Sequence, residues 1–424
     1  RDIKCLGNWM WSPKMKNNGQ LLYDAVLKVE NILKILKIGI DGGKDSLSMN
    51  TKINDKVVMS PNTLVMSSYV LCPDIRIKAT PDFKKAGSII LLVDLAYYNY
   101  HLGGSQFAQN LGQVGSQAPK FRNMKRFPYI FNFIQRLLNE GKILSGHDRS
   151  DGGLIATLTE MCISSYYGCE LNIKSNANHI SYLFNEELGL VIEINPEDLI
   201  YVLENLNNYC PVQIIGTTTL ERNFKIQYND VSIYENSVIN MWKLWEFNSF
   251  EIEKEQCDSE CAYQEYSSIS LRKPPYQYIS DKNIDLIKEH SLSTRIHHIG
   301  IIREVGSNGD KEMASVFYQA GFNVCDITMT DLVNDPSVLN NNFKGIAFVG
   351  GFSYSDVFGA GVGWASRIKN NDELNENIER FFNDPKKFSL GVCNGCQLMS
   401  LLGILPNIKL VENNSKRFES RYVS

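Results

Sequence analysis

Leu390-Gly391-Val392-Cys393-Asn394-Gly395-Cys396-Gln397 carries an apolar strand, begun at Phe388, straight into a Gly-x-Cys-x-Gly turn. The spacing predicts a helix over 397–402 immediately afterwards. A nucleophile on such a turn is lifted clear of its sheet, with the next backbone N–H aimed at whatever it attacks. The helix N-terminus favours thiolate over thiol, and the flanking glycines allow tight backbone and close approach of substrate. Cys393 is therefore the candidate attacker in an acyl transfer. The same residues admit two other readings. One is a small buried hydrophobe, the usual fate of a free cysteine; the other is a Cys393-x-x-Cys396 dithiol that binds zinc or cycles. Zinc needs another ligand pair, and only the distant Cys257 and Cys261 offer one.

Working upstream, Ile296, Ile299 and Ile301 read as a strand, 310–320 as a helix stopped by Gly321, and 324–329 as a strand. Residues 343–349 form a strand entering Gly350-Gly351, and a helix near 374–382 leads into the Cys393 strand. That β-α-β-α-β order predicts a doubly wound, flavodoxin-like parallel sheet, with ligands at the carboxyl ends of its strands. Cys393 and Gly350-Gly351 both fall at such ends. Paired glycines there either make a tight exit turn or aim free N–H groups at an oxyanion. Beside a nucleophile turn, Gly351 and the backbone of Asn394 become candidate oxyanion donors.

Towards the other end, Leu22, Ala25, Val26, Val29, Ile32, Leu33 and Leu36 recur at helical spacing, giving one helix of about five turns. Asp41-Gly42-Gly43-Lys44-Asp45-Ser46 then reads as a turn able to bring the Lys44 ammonium to phosphate, although Asp45 breaks the phosphate-loop pattern. Residues 57–59 and 63–71 read as a strand pair. Between 88 and 228, strands (88–93, 190–194, 212–215, 224–228) and helices (after 103–105, and 127–139) mix without strict alternation, the α+β pattern. Gly146-His147-Asp148-Arg149-Ser150-Asp151-Gly152-Gly153 opens a helix there. Its oxygen ligands and double glycine suit magnesium and phosphate, though an acidic cap would use the same residues. Leu183-Phe184-Asn185-Glu186-Glu187-Leu188-Gly189 either places carboxylates near a metal or is the charged approach to a strand. Residues 250–293, polar and with Pro274-Pro275, read as irregular linker.

A length of 424 residues suits two or three domains. A net charge of −4 without a basic block points away from nucleic acid and anionic membranes, and no apolar run approaches a bilayer span. Ten scattered cysteines and no signal-peptide pattern suit a reducing cytosol, so a cytoplasmic location is expected. The chain opens on Arg1 and stops soon after a strand-like segment, and both ends read as cut from something longer.

Taken in order, Gly-Asn-Trp-Met (7–10), Leu-Tyr-Asp-Ala-Val (22–26), Asp-Gly-Gly-Lys-Asp-Ser-Leu-Ser-Met (41–49), His-Asp-Arg-Ser-Asp-Gly-Gly-Leu (147–154), Leu-Phe-Asn-Glu-Glu-Leu-Gly (183–189), Gly-Gly-Phe-Ser-Tyr (350–354), Gly-Val-Cys-Asn-Gly-Cys-Gln (391–397) and Arg-Phe-Glu-Ser-Arg (417–421) resemble the large, single-chain phosphoribosylformylglycinamidine synthases. The resemblance implies a purine-biosynthesis ligase. Its glutaminase domain releases ammonia from glutamine, and its synthetase domain uses ATP and magnesium to activate formylglycinamide ribonucleotide. It implies the end of a second synthetase N-type half (1–80), a C-type half like aminoimidazole-ribonucleotide synthetase (81–245), a linker (246–293) and an incomplete class I glutaminase domain (294–424). It also implies Cys393 as nucleophile, Asp148 as a magnesium ligand, Ser150 as an ATP or ADP contact, and a monomer. Class I glutaminases complete their triad with a His-x-Glu pair downstream of the cysteine, and no histidine follows Cys393. This chain by itself is therefore expected not to be a competent enzyme. Two other classes remain: a nucleotide-binding regulatory module without glutaminase chemistry, and a redox protein using Cys393 and Cys396.

Overall fold

The computed structural model describes residues 3–272, 296–340 and 343–420. The chain divides into two compact units, 1–275 and 276–424, a division that falls inside the expected linker. Among the described residues no helix is long and apolar enough to cross a membrane.

In the first unit, β1 (Lys4–Met10) lies between β2 (Gly39–Ser46), parallel to it, and β5 (Thr63–Tyr69), antiparallel. The expected long helix is α1 (Asn18–Leu36). Two expectations fail here. Residues 57–59 do not pair with 63–71, because β4 (Lys56–Met59) folds back on β3 (Asn50–Ile53) about Asn54 and Asp55, both at positive φ. And 41–46 is no turn but the body of β2. Gly43 lies against Gly7, where any Cβ would strike the Gly7 carbonyl, so the glycine serves strand contact rather than a loop.

The second sheet of this unit uses β6 (Ile89–Asp94), β7 (Ile143–Asp148), β8 (Gly168–Ile173), β9 (Gly189–Ile194), β10 (Val212–Thr219), β11 (Asn223–Tyr228) and β12 (Val231–Ser237). Their order is β12-β11-β8-β10-β6-β9-β7, with only β8 and β11 parallel. Strand β6 is buried on both sides, so its residues serve two cores in alternation. Ile90 and Leu92 meet Leu154, Leu158, Met161 and Cys162 of α4 (Gly153–Ile163). Leu91 and Val93 meet α3 (Phe127–Asn139) and α6 (Leu199–Leu206) on the other side. Two short helices, α2 (Gln106–Asn110) and α5 (His179–Phe184), close the same end of the sheet around Glu186 and Asn185. The α+β expectation holds.

The irregular reading of 250–293 does not hold over its first part. Helices α7 (Val238–Gln256) and α8 (Ser259–Ser267) run through it, with Phe250 stacked on Tyr266 at 4.4 Å between centroids. Between 250 and 267 only Ala262 is a fully buried apolar residue, so that stretch carries no apolar stripe to signal a helical face. Residues 273–295 of that segment lie outside the described residues.

In the second unit, β13 (His298–Arg303), β15 (Asn323–Thr328), β16 (Phe343–Phe348) and β18 (Phe388–Gly391) form one sheet, ordered β15-β13-β16-β18 and parallel throughout. Helices α9 (Asp310–Gln319), α10 (Met329–Asn334), α11 (Val362–Lys369), α12 (Asp372–Asn383) and α13 (Asn394–Leu401) connect or follow the strands. A two-residue pair, β14 (Ser307–Asn308) with β17 (Gly350–Gly351), ties two of the carboxyl-end loops together. The strand order reverses between β13 and β16, the switch point at which doubly wound sheets bind ligands. Glu304 and Gly350 leave the sheet there, and Cys393 leaves the neighbouring strand. The helix after Cys393 begins at Asn394, three residues earlier than predicted.

Candidate active site

Close packing of backbone makes the turn at Cys393. Val392 N–H donates to the Phe348 carbonyl (3.1 Å), hooking the end of β18 onto β16. A Cβ on Gly395 would lie 2.7 Å from the Phe348 carbonyl carbon, and one on Gly391 would lie 2.6 Å from Met399 Sδ and 2.7 Å from the Gly395 oxygen. Only glycine fits at either place. Between them Cys393 is held at φ 51°, ψ −110°, a conformation that costs about 1–3 kcal/mol for a residue with a side chain. The hydrogen bonds Gly395 N–H to Val392 O (2.9 Å) and Gln397 N–H to Cys393 O (3.1 Å) hold it there.

The thiol is exposed. It shares an open cleft of about 530 Å³ with Gly350, Gly351, Asn308, Glu312 and Val392. A Cβ on Gly350 would lie 3.3 Å from the Cβ of Cys393. The structure thus brings Cys393 and Gly351 together, as the sequence predicts, and rejects the buried-hydrophobe reading. Cys396 is half-buried in the first turn of α13, and both thiols are free. Among the described residues no three His, Cys, Asp or Glu side chains are grouped to hold a metal ion.

Asn394 was singled out for its backbone, yet its side chain is fully buried and works too. Its Oδ1 accepts from Ser353 N–H (3.4 Å), and its Nδ2 donates to Asp356 (3.3 Å). Three residues that sequence reasoning missed complete the surroundings. Buried Glu304, one residue past β13, accepts from Tyr354 Oη (2.9 Å) and from Arg367 Nη1 (2.9 and 2.8 Å). Burial and the Glu304 carboxylate both push the Tyr354 hydroxyl up. Burial works against the charge on Arg367, but its bonds to Glu304 and Tyr354 outweigh that and raise its pKa. The switch-point rule alone would have marked Glu304; nothing in the sequence marks Arg367.

Among the described residues of the second unit, no histidine lies on this surface. His298 pairs with Phe343 at one end of the sheet, whereas Phe348 pairs with Gly391 at the other. Five strand residues put on the order of 17 Å between His298 and the turn.

Asp148 ends β7 and is exposed; the Ser150 hydroxyl donates to its Oδ2, and His147 approaches its Oδ1 at 3.2 Å. The Ser150 hydrogen bond is the main reason its carboxyl sits below the usual carboxylate range. The helix end beside it is already in use: Gly152 N–H donates to Glu186 (2.8 Å) and Gly153 N–H to Ser150 O (3.0 Å). Glu187, fully buried, binds His101 (2.7 Å) and Arg122 (3.1 Å). Glu186 and Glu187 therefore organise the loops around 101–122 and 152. Lys44 stands exposed on a different sheet, its ammonium on Ser46.

Residues 296–424 match the CobB/CobQ-like glutamine amidotransferase domain, 1–71 the FGAR-AT PurM_N-like domain, and 85–229 the C-terminal domain of AIR synthase related proteins. Over 100% of its length the chain is 39% identical to phosphoribosylformylglycinamidine synthase of Dictyostelium discoideum, of which it covers 34%. Along its whole length the chain is similar to the C-terminal part of phosphoribosylformylglycinamidine synthases. It is 35% identical to the human enzyme of that name, covering 34% of it. It is 38% identical to a probable phosphoribosylformylglycinamidine synthase of Arabidopsis thaliana, described as chloroplastic/mitochondrial, covering 31%. The chain thus spans about a third of the length of the curated family members it matches. Among solved structures, Thermotoga maritima PurL complexed with FGAR gives a TM-score of 0.45 at 12% identity, over 57% of this chain and 39% of that one. E. coli HypE gives 0.39 at 16%, over 56% and 72%. Neither is close enough to inform the site. All of the seven-stranded sheet but β12 falls in the AIR synthase related match, and the four-stranded parallel sheet falls in the amidotransferase match.

Proposed function

We propose that this chain supplies the glutaminase nucleophile and part of the synthetase of an enzyme that makes formylglycinamidine ribonucleotide from formylglycinamide ribonucleotide, ATP and glutamine. The observation that carries the reading is Cys393 at φ 51°, exposed at the end of a parallel strand and facing Gly350 and Gly351 across one cleft. In that reading the Cys393 sulfur attacks the glutamine carboxamide carbon, and the backbone N–H groups of Gly351 and Asn394 receive the oxyanion. Collapse expels ammonia and leaves a thioester, which water hydrolyses to glutamate. ATP phosphorylates the amide oxygen of the ribonucleotide; ammonia then adds to the amide carbon, and the C–O bond breaks so that phosphate leaves with that oxygen and the amidine remains.

Asp148 fits a single magnesium ligand: it is an exposed carboxylate kept ionised by Ser150, and among the described residues no three His, Cys, Asp or Glu side chains gather to hold a metal ion. Such an ion would draw its other oxygens from nucleotide phosphate and water. When bound, magnesium neutralises phosphate charge and so assists phosphoryl transfer. With the amides of Gly152 and Gly153 engaged, nucleotide contact at this loop falls to the Ser150 hydroxyl rather than to the helix end, and Lys44, on the other sheet, is proposed as a separate phosphate contact. The assembly proposed is a monomer.

Mass spectrometry of the chain after treatment with a glutamine-like chloroketone tests the reading. A single adduct on Cys393, protected by glutamine and absent from Cys393→Ser, is expected. Equal modification of Cys396, or a Cys393–Cys396 disulfide under mild oxidation, would instead favour the redox reading. Because no histidine of the described second unit stands beside the thiol, glutamate release by these 424 residues is expected to be far below the rate of adduct formation.

A further inference from the structure

The loop after β16 cannot hold its own shape. Gly351 sits at φ 113°, and Tyr354, Ser355 and Asp356 follow at 53°, 54° and 51°, three consecutive side-chain-bearing residues in the left-handed region. That conformation costs about 1–2 kcal/mol per residue, so tethers from outside the loop must fix it. The structure shows them on two sides. Asn394, next to the nucleophile, takes Ser353 N–H and gives its Nδ2 to Asp356. On the far side, Glu304 takes Tyr354 Oη, Val305 O takes Tyr354 N–H (3.0 Å), and Arg367 from α11 places Nη1 on both Glu304 oxygens. The Glu304 side chain is only 2% exposed, so the guanidinium is what permits a carboxylate there at all.

We propose that Glu304 and Arg367 are positioning residues for acyl transfer. Acting through Tyr354, they hold the 351–356 loop, and with it the Gly351 N–H, in register with the Cys393 turn. The proposal rests on the glutaminase reading. It gives a split that a purely structural role would not produce: the thiol stays as reactive as before, while alignment of a carbonyl against the loop is lost.

The test compares two reagents on the 424-residue chain. A glutamine-like chloroketone needs its carbonyl seated beside the loop; iodoacetamide needs only the thiol. Tyr354→Phe removes the side-chain tether and leaves the backbone bond to Val305 and the Glu304–Arg367 pair in place. It is expected to slow chloroketone addition to Cys393 at least about tenfold, with the iodoacetamide rate within about twofold of wild type. Arg367→Met is expected to do the same or more, and Arg367→Lys to restore part of the loss. If both reagents slow together, or neither does, in Tyr354→Phe, the positioning role is overturned while the nucleophile stands. If the wild-type chain shows no preference for the chloroketone over iodoacetamide, the glutaminase reading fails and takes this proposal with it.

Discussion

Gly395 lies so close to the Phe348 carbonyl that a methyl group on it would sit 2.7 Å from the carbonyl carbon. Phe348 also accepts the Val392 N–H, so one peptide group of β16 sets both sides of the Cys393 turn. Gly395→Ala is expected to push α13 off the strand, destabilising the second unit by about 1–3 kcal/mol. Urea unfolding of the chain measures this. An unchanged midpoint would mean that the turn tolerates the shift and that its geometry is looser than drawn.

The accessibility of the thiols follows directly from burial. Cys393 and Cys72 are exposed, whereas Cys162, Cys169 and Cys210 are buried, and burial pushes the Cys210 thiol up to about 12. In native protein at pH 8, an aromatic disulfide reagent is expected to reach Cys393 and Cys72 first and the three core thiols only in denaturant. Peptide mapping at short times checks the order. Early reaction at Cys210 would contradict the packing of α6 against the sheet.

Much of the second unit was legible because β13 and β16 are largely apolar runs, and β16 and β18 lead into glycine, as in a buried parallel sheet. The first unit was harder to read. Asp41–Ser46 looks like a turn by composition, and only a partner strand carrying Gly7 turns its glycines into strand residues. Residues 250–267 lack an apolar stripe because their helices lean on a few aromatic contacts rather than a face. The nucleophile could be found locally, since its requirements lie within five residues. The roles of Tyr354 and Arg367 could not, because they exist only once the segment after β13, the 351–356 loop and α11 are brought together.

Arg149 sits in the middle of the Asp148 loop, yet it points inward. Its side chain and that of Asp94 are both fully buried, 3.3 Å apart, and it also donates to the carbonyls of Glu187 (2.6 Å) and Leu188 (2.9 Å). Arg149→Met strands the Asp94 carboxylate without a counter-charge and is expected to cost about 3–5 kcal/mol. The double variant Asp94→Asn/Arg149→Met is expected to recover a large part of that. Denaturant midpoints of the three proteins settle it; equal losses in the single and double variants would mean that the carbonyl bonds, not the ion pair, dominate.

Alkaline pH should loosen the first unit before the ordinary range of lysine is reached. Burial raises the Tyr182 hydroxyl well above its normal value and Cys210 to about 12, so both stay protonated in the folded state. In the unfolded chain they ionise near their ordinary values, about 8.5 for Cys and 10 for Tyr. Between those values and the folded ones the unfolded state binds fewer protons, so stability is full below about pH 8.5 and falls as pH rises. Tyr182→Phe, which gives up the 2.8 Å hydrogen bond to Gln213, is expected to be slightly less stable at pH 8 but to lose less between pH 8 and 10.5. Parallel urea curves for the two proteins across that range would show that burial of Tyr182 contributes nothing to the pH dependence.

Asp148 offers the sharpest check on the nucleotide reading. If Asp148 ligates magnesium, Asp148→Asn is expected to lose at least about tenfold in magnesium-dependent ATP affinity, with magnesium-free affinity little changed. Because the Ser150 hydroxyl lowers the Asp148 carboxyl, Ser150→Ala is expected to let it take up a proton at higher pH, moving the acid limb of magnesium-dependent binding upward. The sign matters: a downward move, or none, would mean that Ser150 does not stabilise the charged carboxylate. Titration calorimetry with ATP, with and without magnesium, reads both variants. Should Asp148→Asn bind magnesium-ATP as tightly as wild type, Asp148 is no metal ligand here, and its bond to Ser150 serves only to shape the turn before α4.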